Sequence, residues 1–124
     1  MIAADTSSFI AFLHSPADLA NAAVRQAIES RALRLPPPVK TELLSAPLTG
    51  AGADGFIEAA PLLPLVAGFW ERAGLNRRLL RSKGLKARLA DTLIAQCCID
   101  SDVALLTRDA DFRHFARWAG LKLA

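Results

Sequence analysis

An uninterrupted apolar run, Val103–Leu106, places the strongest constraint on how this chain can fold. A short run without polar alternation is typical of a strand covered on both faces, as in parallel sheets flanked by helices. Ahead of it, apolar side chains recur at three- and four-residue steps over 89–98, which predicts a helix packed on that sheet. Thr107, Asp109 and Asp111 follow the run directly. Ligands of open α/β sheets gather at the carboxyl ends of the strands, so this polar cluster is well placed for chemistry.

The same alternation of strands and helices runs along the whole chain. We predict short strands at 1–4, 33–35, 103–106 and 121–123, and a weaker one at 62–66. Helices are predicted at 6–13, 17–30, 36–46, 69–83, 89–98 and 112–118. The result is an α/β fold with a central parallel sheet of four to five short strands and helices on both faces.

Size and composition favour one ordered domain, residues 1–124. Apolar residues make up 52% of the chain, but no apolar run approaches the roughly 20 residues that span a bilayer. The first residues lack the basic segment of a secretory signal, so a cytoplasmic protein is expected. Cys97 and Cys98 are interpreted as small core residues in a reducing compartment.

Positive charge is concentrated in one part of the chain. The net charge is +3, yet residues 71–88 carry seven basic residues against one acid, Glu71. Such a block can hold the phosphates of a polyanion, and it can equally be a solvated helix face. Under the first interpretation, Arg77, Arg78 and Arg81 are candidate RNA contacts.

A glycine-rich segment, Gly50–Gly55, formally satisfies Gly-x-Gly-x-x-Gly. A helix and Pro47 precede it, whereas a nucleotide-binding loop follows a strand. We therefore interpret it as a turn between helices.

Several acidic residues are predicted to converge. Asp5 follows the first strand, Glu42 lies on the margin of a helix, Asp91 lies on the inward face of its helix, and Asp109 or Asp111 follows the fourth strand. Carboxylates gathered without basic partners need a hard cation, and Mg²⁺ or Mn²⁺ prefers such oxygen ligands. A metal-activated water attacking a phosphodiester would account for both the acids and the basic block. The other acids are expected to be solvated turn or cap residues: Asp18, Asp54, Asp100 and Asp102.

Four segments of this sequence resemble the acidic motifs of PIN-domain ribonucleases, and their order and the chain length resemble VapC-type toxins of toxin–antitoxin pairs. They are Asp5-Thr-Ser, Lys-Thr-Glu42-Leu-Leu, Ala-Asp91-Thr-Leu-Ile-Ala and Leu-Thr-Arg-Asp109-Ala-Asp-Phe.

The resemblance implies a PIN-like three-layer sandwich and a Mg²⁺- or Mn²⁺-dependent endoribonuclease. It also implies an RNA substrate, a VapB-type antitoxin as partner, and a homodimer. By match, Asp5 and Asp91 are the main metal ligands, Glu42 and Asp109 complete the acidic set, and Thr107 supports it by hydrogen bonds. Asp111 either assists at the site or caps the last helix.

Two other classes of function remain open. One is a catalytically inert PIN-like module that binds RNA or an antitoxin. The other is a phospho-acceptor signalling domain, which needs paired acids after the first strand and a lysine after a late strand. Asp5 has no acidic neighbour, and Thr107-Arg-Asp follows Leu106, so the second class fits poorly.

Overall fold

A computed structural model of the protein describes residues 1–47 and 52–124. Three strands form a parallel sheet in the order β2-β1-β3. They are β1 (Ile2–Ala4), β2 (Leu33–Arg34) and β3 (Ala104–Leu106). The predicted α/β fold, a parallel sheet flanked by helices, is confirmed.

Seven α-helices are found in the described part of the chain. They are α1 (Thr6–His14), α2 (Ala22–Glu29), α3 (Pro37–Ser45), α4 (Ala53–Ala59), α5 (Phe69–Ser82), α6 (Leu89–Ser101) and α7 (Phe112–Trp118). Among these helices, none is long and apolar enough to cross a membrane.

The strands of the sheet are only two or three residues long, but the side chains at its centre are fully buried. Ala3, Ala4 and Leu105 have no exposed surface. Small alanines in β1 let helices approach the sheet closely, and Leu105 fills the space beside them. Because the strands are parallel, Asp5 and Thr107 leave the same edge of the sheet side by side.

The two outer predicted strands are reduced to single bridges. Leu62 pairs with Leu35, and Leu123 pairs with Leu105, each in parallel. Pro64 interrupts the first of these segments, since proline cannot donate to the ladder. The sheet therefore has three strands with one bridging residue beyond each edge, rather than four or five full strands.

Several predictions about helices were wrong in detail. The helix expected at 17–30 begins at Ala22, and a 3₁₀ turn at Leu19–Asn21 precedes it. Leu19, expected to face the core, is 85% exposed. Helix α4 was not predicted. It covers the second half of the glycine-rich segment, whose first residues, 50 and 51, lie outside the described residues.

Helix α6 is buried around most of its middle turn, where Ile94 to Cys98 are all enclosed. It packs against α3, α5 and α7. Burial raises the pKa of both the Cys97 and the Cys98 thiol to about 12, which agrees with the interpretation of these cysteines as core residues.

A polar network joins α5 to α6. Arg72 donates two hydrogen bonds to Asp100, at 2.9 and 2.7 Å. Gln96 donates to Asp100 at 2.9 Å and accepts from Asn76 at 2.7 Å. The hydrogen bond from Arg72 lowers the pKa of Asp100. Asp100 was predicted to be a solvated residue, but it is the centre of this interface because a partner from α5 neutralises it.

Candidate metal centre

Asp5 is the most constrained residue at the carboxyl edge of the sheet. Its side chain is almost fully buried, at 3% exposure, and it caps the N-terminus of α1 by accepting from the Ser8 backbone N–H at 2.9 Å. The Ser7 hydroxyl lies 2.8 and 2.9 Å from the two carboxylate oxygens. Thr107 donates to Asp5 Oδ2 at 2.5 Å. These donors stabilise a buried carboxylate that forms no ion pair within residues 1–47 and 52–124.

Thr107 connects Asp5 to the acids that follow β3. Its hydroxyl oxygen accepts from the Asp109 backbone N–H at 3.0 Å while its proton goes to Asp5. Asp109 Oδ1 in turn accepts from the Asp111 N–H at 2.9 Å, which closes a tight turn. The loop after β3 is therefore held by side chains that all point to the same edge of the sheet.

Three carboxylates meet at this edge. One ligand oxygen from each of Asp91, Asp109 and Asp111 lies within 4.8 Å of the others. Asp111 stands at the N-cap of α7 but makes no capping hydrogen bond. Its carboxylate faces the other acids instead, so both candidates from the last motif reach Asp91.

Asp91 is the least compensated member of this acid group. Its Oδ2 is buried and has no hydrogen-bond partner within the described structure. The pKa of Asp91 is raised to about 6, chiefly by burial and next by repulsion from Asp109. Arg88 opposes the rise, and Glu42 and Asp111 add smaller repulsions. A carboxylate in this position gains from any cation that enters the group.

Glu42 approaches from α3. Its Oε1 accepts from the Thr6 hydroxyl at 2.6 Å, and Thr6 is the residue after Asp5. Its repulsion of Asp91 places it at the same cleft. Of the predicted acids, Asp5 and Glu42 thus lie outside the 4.8 Å group and are linked to its surroundings by hydroxyl groups.

The donor set fits a hard divalent cation. All the contributing atoms are carboxylate oxygens, the ligands that Mg²⁺ and Mn²⁺ prefer. Asp91 also has a buried oxygen, Oδ2, with no hydrogen-bond partner within the described residues. Zinc would favour histidine or thiol ligands, and the two cysteines are packed in the core.

The basic residues near the site have different partners. Arg77 donates to the Ala87 carbonyl oxygen at 2.8 Å, so it holds the loop that leads into α6. Arg77 also lines an open groove on α5, together with Arg78, Arg81 and Leu89. Arg108 donates to Asn21 at 2.8 Å rather than to Asp109.

Lys86 contacts the acid group, and this contact was not predicted from the sequence. Its ammonium lies 3.6 Å from Asp111 Oδ2. Within the described residues, it forms the one ion pair with an acid of this site. From the sequence, Lys86 is recognisable only as a member of the basic block, residues 71–88. Its approach to Asp111 depends on the path of the loop between α5 and α6.

Comparison with known families decides the classification. The PIN domain family model matches residues 2–117. This chain belongs to the PIN domain family. No curated protein sequence matches it significantly.

Solved structures share the fold of this PIN domain at low sequence identity. A chain of VapBC2 from Rickettsia felis, bound to a DNA fragment from the promoter, has a TM-score of 0.75 and 20% identity, covering 100% of this chain and 98% of that one. A chain of DNA-bound VapBC from Salmonella typhimurium has a TM-score of 0.77 and 18% identity, with the same coverage. A chain of VapBC-5 from Mycobacterium tuberculosis has a TM-score of 0.68 and 21% identity, covering 98% and 95%.

Proposed function

We propose that this PIN domain is a Mg²⁺- or Mn²⁺-dependent endoribonuclease that hydrolyses RNA phosphodiester bonds in the cytoplasm. The observation that carries the proposal is the group formed by Asp91, Asp109 and Asp111, in which one buried carboxylate oxygen has no partner. Such a group is costly to maintain unless a cation binds it. Membership of the PIN family supports the nuclease class.

The residues divide into ligands and supports. Asp91, Asp109 and Asp111 would hold the ion, and Asp5 and Glu42 would complete the negative field from either side. When bound, the ion supplies a Lewis acid for the phosphodiester and lowers the pKa of water. Thr107 orients Asp5 and the Asp109 turn together through its two hydrogen bonds.

We further propose that the protein is a VapC-type toxin that acts as a homodimer and is neutralised by a VapB-type antitoxin. The support is the similarity of its fold to chains of VapBC complexes over its whole length. On this proposal, residues 1–124 form the single PIN-like domain of the toxin.

The test is cleavage of single-stranded RNA by purified protein in Mn²⁺ or Mg²⁺. We expect Asp91→Asn and Asp5→Asn to abolish cleavage while the circular dichroism spectrum is retained. Asp102→Asn is a matched control, since Asp102 is an exposed acid at the opposite edge of the sheet, before β3. Full cleavage by the Asp91→Asn protein would refute the mechanism.

The second candidate function is an inert module that binds RNA or an antitoxin without cutting. The convergence of the acids favours the enzyme, because a binding module gains nothing from mutually repelling carboxylates. Titration with Mn²⁺ separates the two candidates. Absence of Mn²⁺ binding to both the native protein and Asp91→Asn would favour the inert module.

A further inference from the structure

The loop between α5 and α6 brings two cations to the acid group. In residues 86–88, Lys86 and Arg88 are exposed, while Ala87 between them is 7% exposed. The Lys86 ammonium lies 3.6 Å from Asp111 Oδ2, and the charge of Arg88 lowers the pKa of Asp91. Buried Ala87 thus anchors the loop, and each of the two cations lies near a carboxylate of the acid group.

This loop is fixed from two directions. Arg77 Nε donates to the Ala87 carbonyl at 2.8 Å, and Leu85 N–H donates to the Leu80 carbonyl at 3.0 Å at the end of α5. At its other end, the Arg88 carbonyl accepts from the Thr92 N–H and hydroxyl in the first turn of α6. Lys86 is therefore held close to Asp111 by the backbone and not only by its own flexible side chain.

The Lys86–Asp111 contact is loose enough to be exchanged. The distance is 3.6 Å, and the side chains are 53% and 29% exposed, so the pair is partly hydrated and contributes little to stability. By contrast, the pair of Arg72 and Asp100 is bidentate, and the Asp100 side chain is 6% exposed. A lysine ammonium also fits a phosphate oxygen as a point charge.

We propose that Lys86 has two alternative anionic partners, the Asp111 carboxylate and a phosphate of bound RNA, and that it passes from the first to the second when a divalent cation takes Asp111. This inference rests on the proposed function and names a substrate-binding residue of the same site. Lys86 opposes cation binding at Asp111, and it binds the substrate once the cation has displaced it. Arg88, beside Asp91, adds to the positive field on the same side.

The two roles predict effects of opposite sign in one variant. Lys86→Met removes a charge that repels the incoming cation, so Mn²⁺ affinity should rise roughly three- to tenfold. The same variant loses one phosphate contact, so binding of RNA in the presence of the cation should weaken. The slope of log K against log salt should become shallower by about 0.7, the value for one contact to a single strand.

The experiment uses the full chain, freed of metal with a chelator. Mn²⁺ affinity is measured by calorimetry, and binding of a short labelled single-stranded RNA is measured in Ca²⁺ to prevent cleavage. Lys122→Met is the matched control: it removes a lysine that pairs with Asp102 at 2.7 Å, at the opposite edge of the sheet. We expect this control to leave both affinities unchanged, and we expect Lys86→Arg to retain RNA binding.

Each outcome separates the inference from the proposed function. Tighter Mn²⁺ binding together with weaker RNA binding in Lys86→Met supports the inference. Unchanged or weaker Mn²⁺ binding in that variant overturns it, and the proposed function then stands if the native protein binds Mn²⁺. If the native protein binds no Mn²⁺, both are refuted.

Discussion

The Thr107 hydroxyl donates to Asp5 Oδ2 at 2.5 Å across a sequence separation of 102 residues. It joins the ends of the adjacent strands β1 and β3. The same oxygen accepts from the Asp109 N–H, so one threonine fixes both a buried carboxylate and the turn that carries two further acids.

The first prediction concerns this hydroxyl. Thr107→Val preserves the shape of the side chain but leaves the Asp109 N–H and one Asp5 lone pair without their partner. We expect the free energy of unfolding to fall by about 1–2 kcal/mol, measured by urea denaturation. Thr107→Ser retains the hydroxyl and should lose much less. If the valine variant and the native protein have the same free energy of unfolding, the hydrogen bond does not contribute to stability.

The second prediction concerns the pH dependence of stability. The folded-state pKa of Asp91 is about 6, against an ordinary 3.8, so the folded protein binds more protons than the unfolded chain between these values. Stability is therefore lost as pH rises from about 4 to 6, and the loss is constant above that window. Asp91→Asn should remove this dependence.

Above pH 6 and in chelator, we expect Asp91→Asn to be more stable than the native protein by about 1 kcal/mol. This value allows for solvent screening at a half-exposed carboxylate. Thermal unfolding over pH 4–8 is the measurement, and Asp102→Asn is the control. Saturating Mn²⁺ should stabilise the native protein selectively. If Asp91→Asn is no more stable than the native protein at pH 7, the charged form of Asp91 is not destabilised in the folded protein.

The third prediction concerns the interface between α5 and α6. Arg72→Met leaves Asp100 in a nearly buried position with only Gln96 as donor, so we expect a loss of about 2–3 kcal/mol. Lys122→Met breaks an ion pair in which both side chains are mostly exposed, and it should change stability by less than about 0.5 kcal/mol. Urea denaturation of the two variants gives the comparison. If Arg72→Met and Lys122→Met lose similar amounts of stability, the Asp100 carboxylate is in contact with solvent.

The sequence predicted the parts of this fold that depend on short-range patterns. The apolar runs at 1–4 and 103–106 become β1 and β3, and the acids after them reach one edge because parallel strands end together. Asp91 was expected to face inward, and it is half-buried with one enclosed oxygen.

The features that the sequence did not predict depend on packing between segments that are distant in the chain. Trp70 was expected to lie on one side of its helix with Ala73 and Leu80, yet it is 62% exposed while those two are buried. Periodicity alone cannot place the centre of a helix face to within one residue. Lys86 likewise meets Asp111 only because the loop after α5 takes a particular path, and no spacing in the sequence encodes that path.

The fourth prediction separates the three arginines that were grouped as RNA contacts. All three arginines line the groove on α5, but within the described residues the side chains of Arg78 and Arg81 have no hydrogen bond or ion pair. We expect Arg78→Met and Arg81→Met each to weaken binding of single-stranded RNA and to reduce the salt slope by about 0.7.

Arg77 should behave differently, because its Nε already donates to the Ala87 carbonyl. Arg77→Met should free the loop that carries Lys86 and Arg88 and lower the free energy of unfolding by about 1 kcal/mol. Stability and salt-dependent RNA binding, measured side by side, distinguish the two kinds of arginine. If Arg78→Met and Arg81→Met leave the salt slope unchanged, the groove on α5 is a solvated helix face, and the RNA follows another path to the acid group.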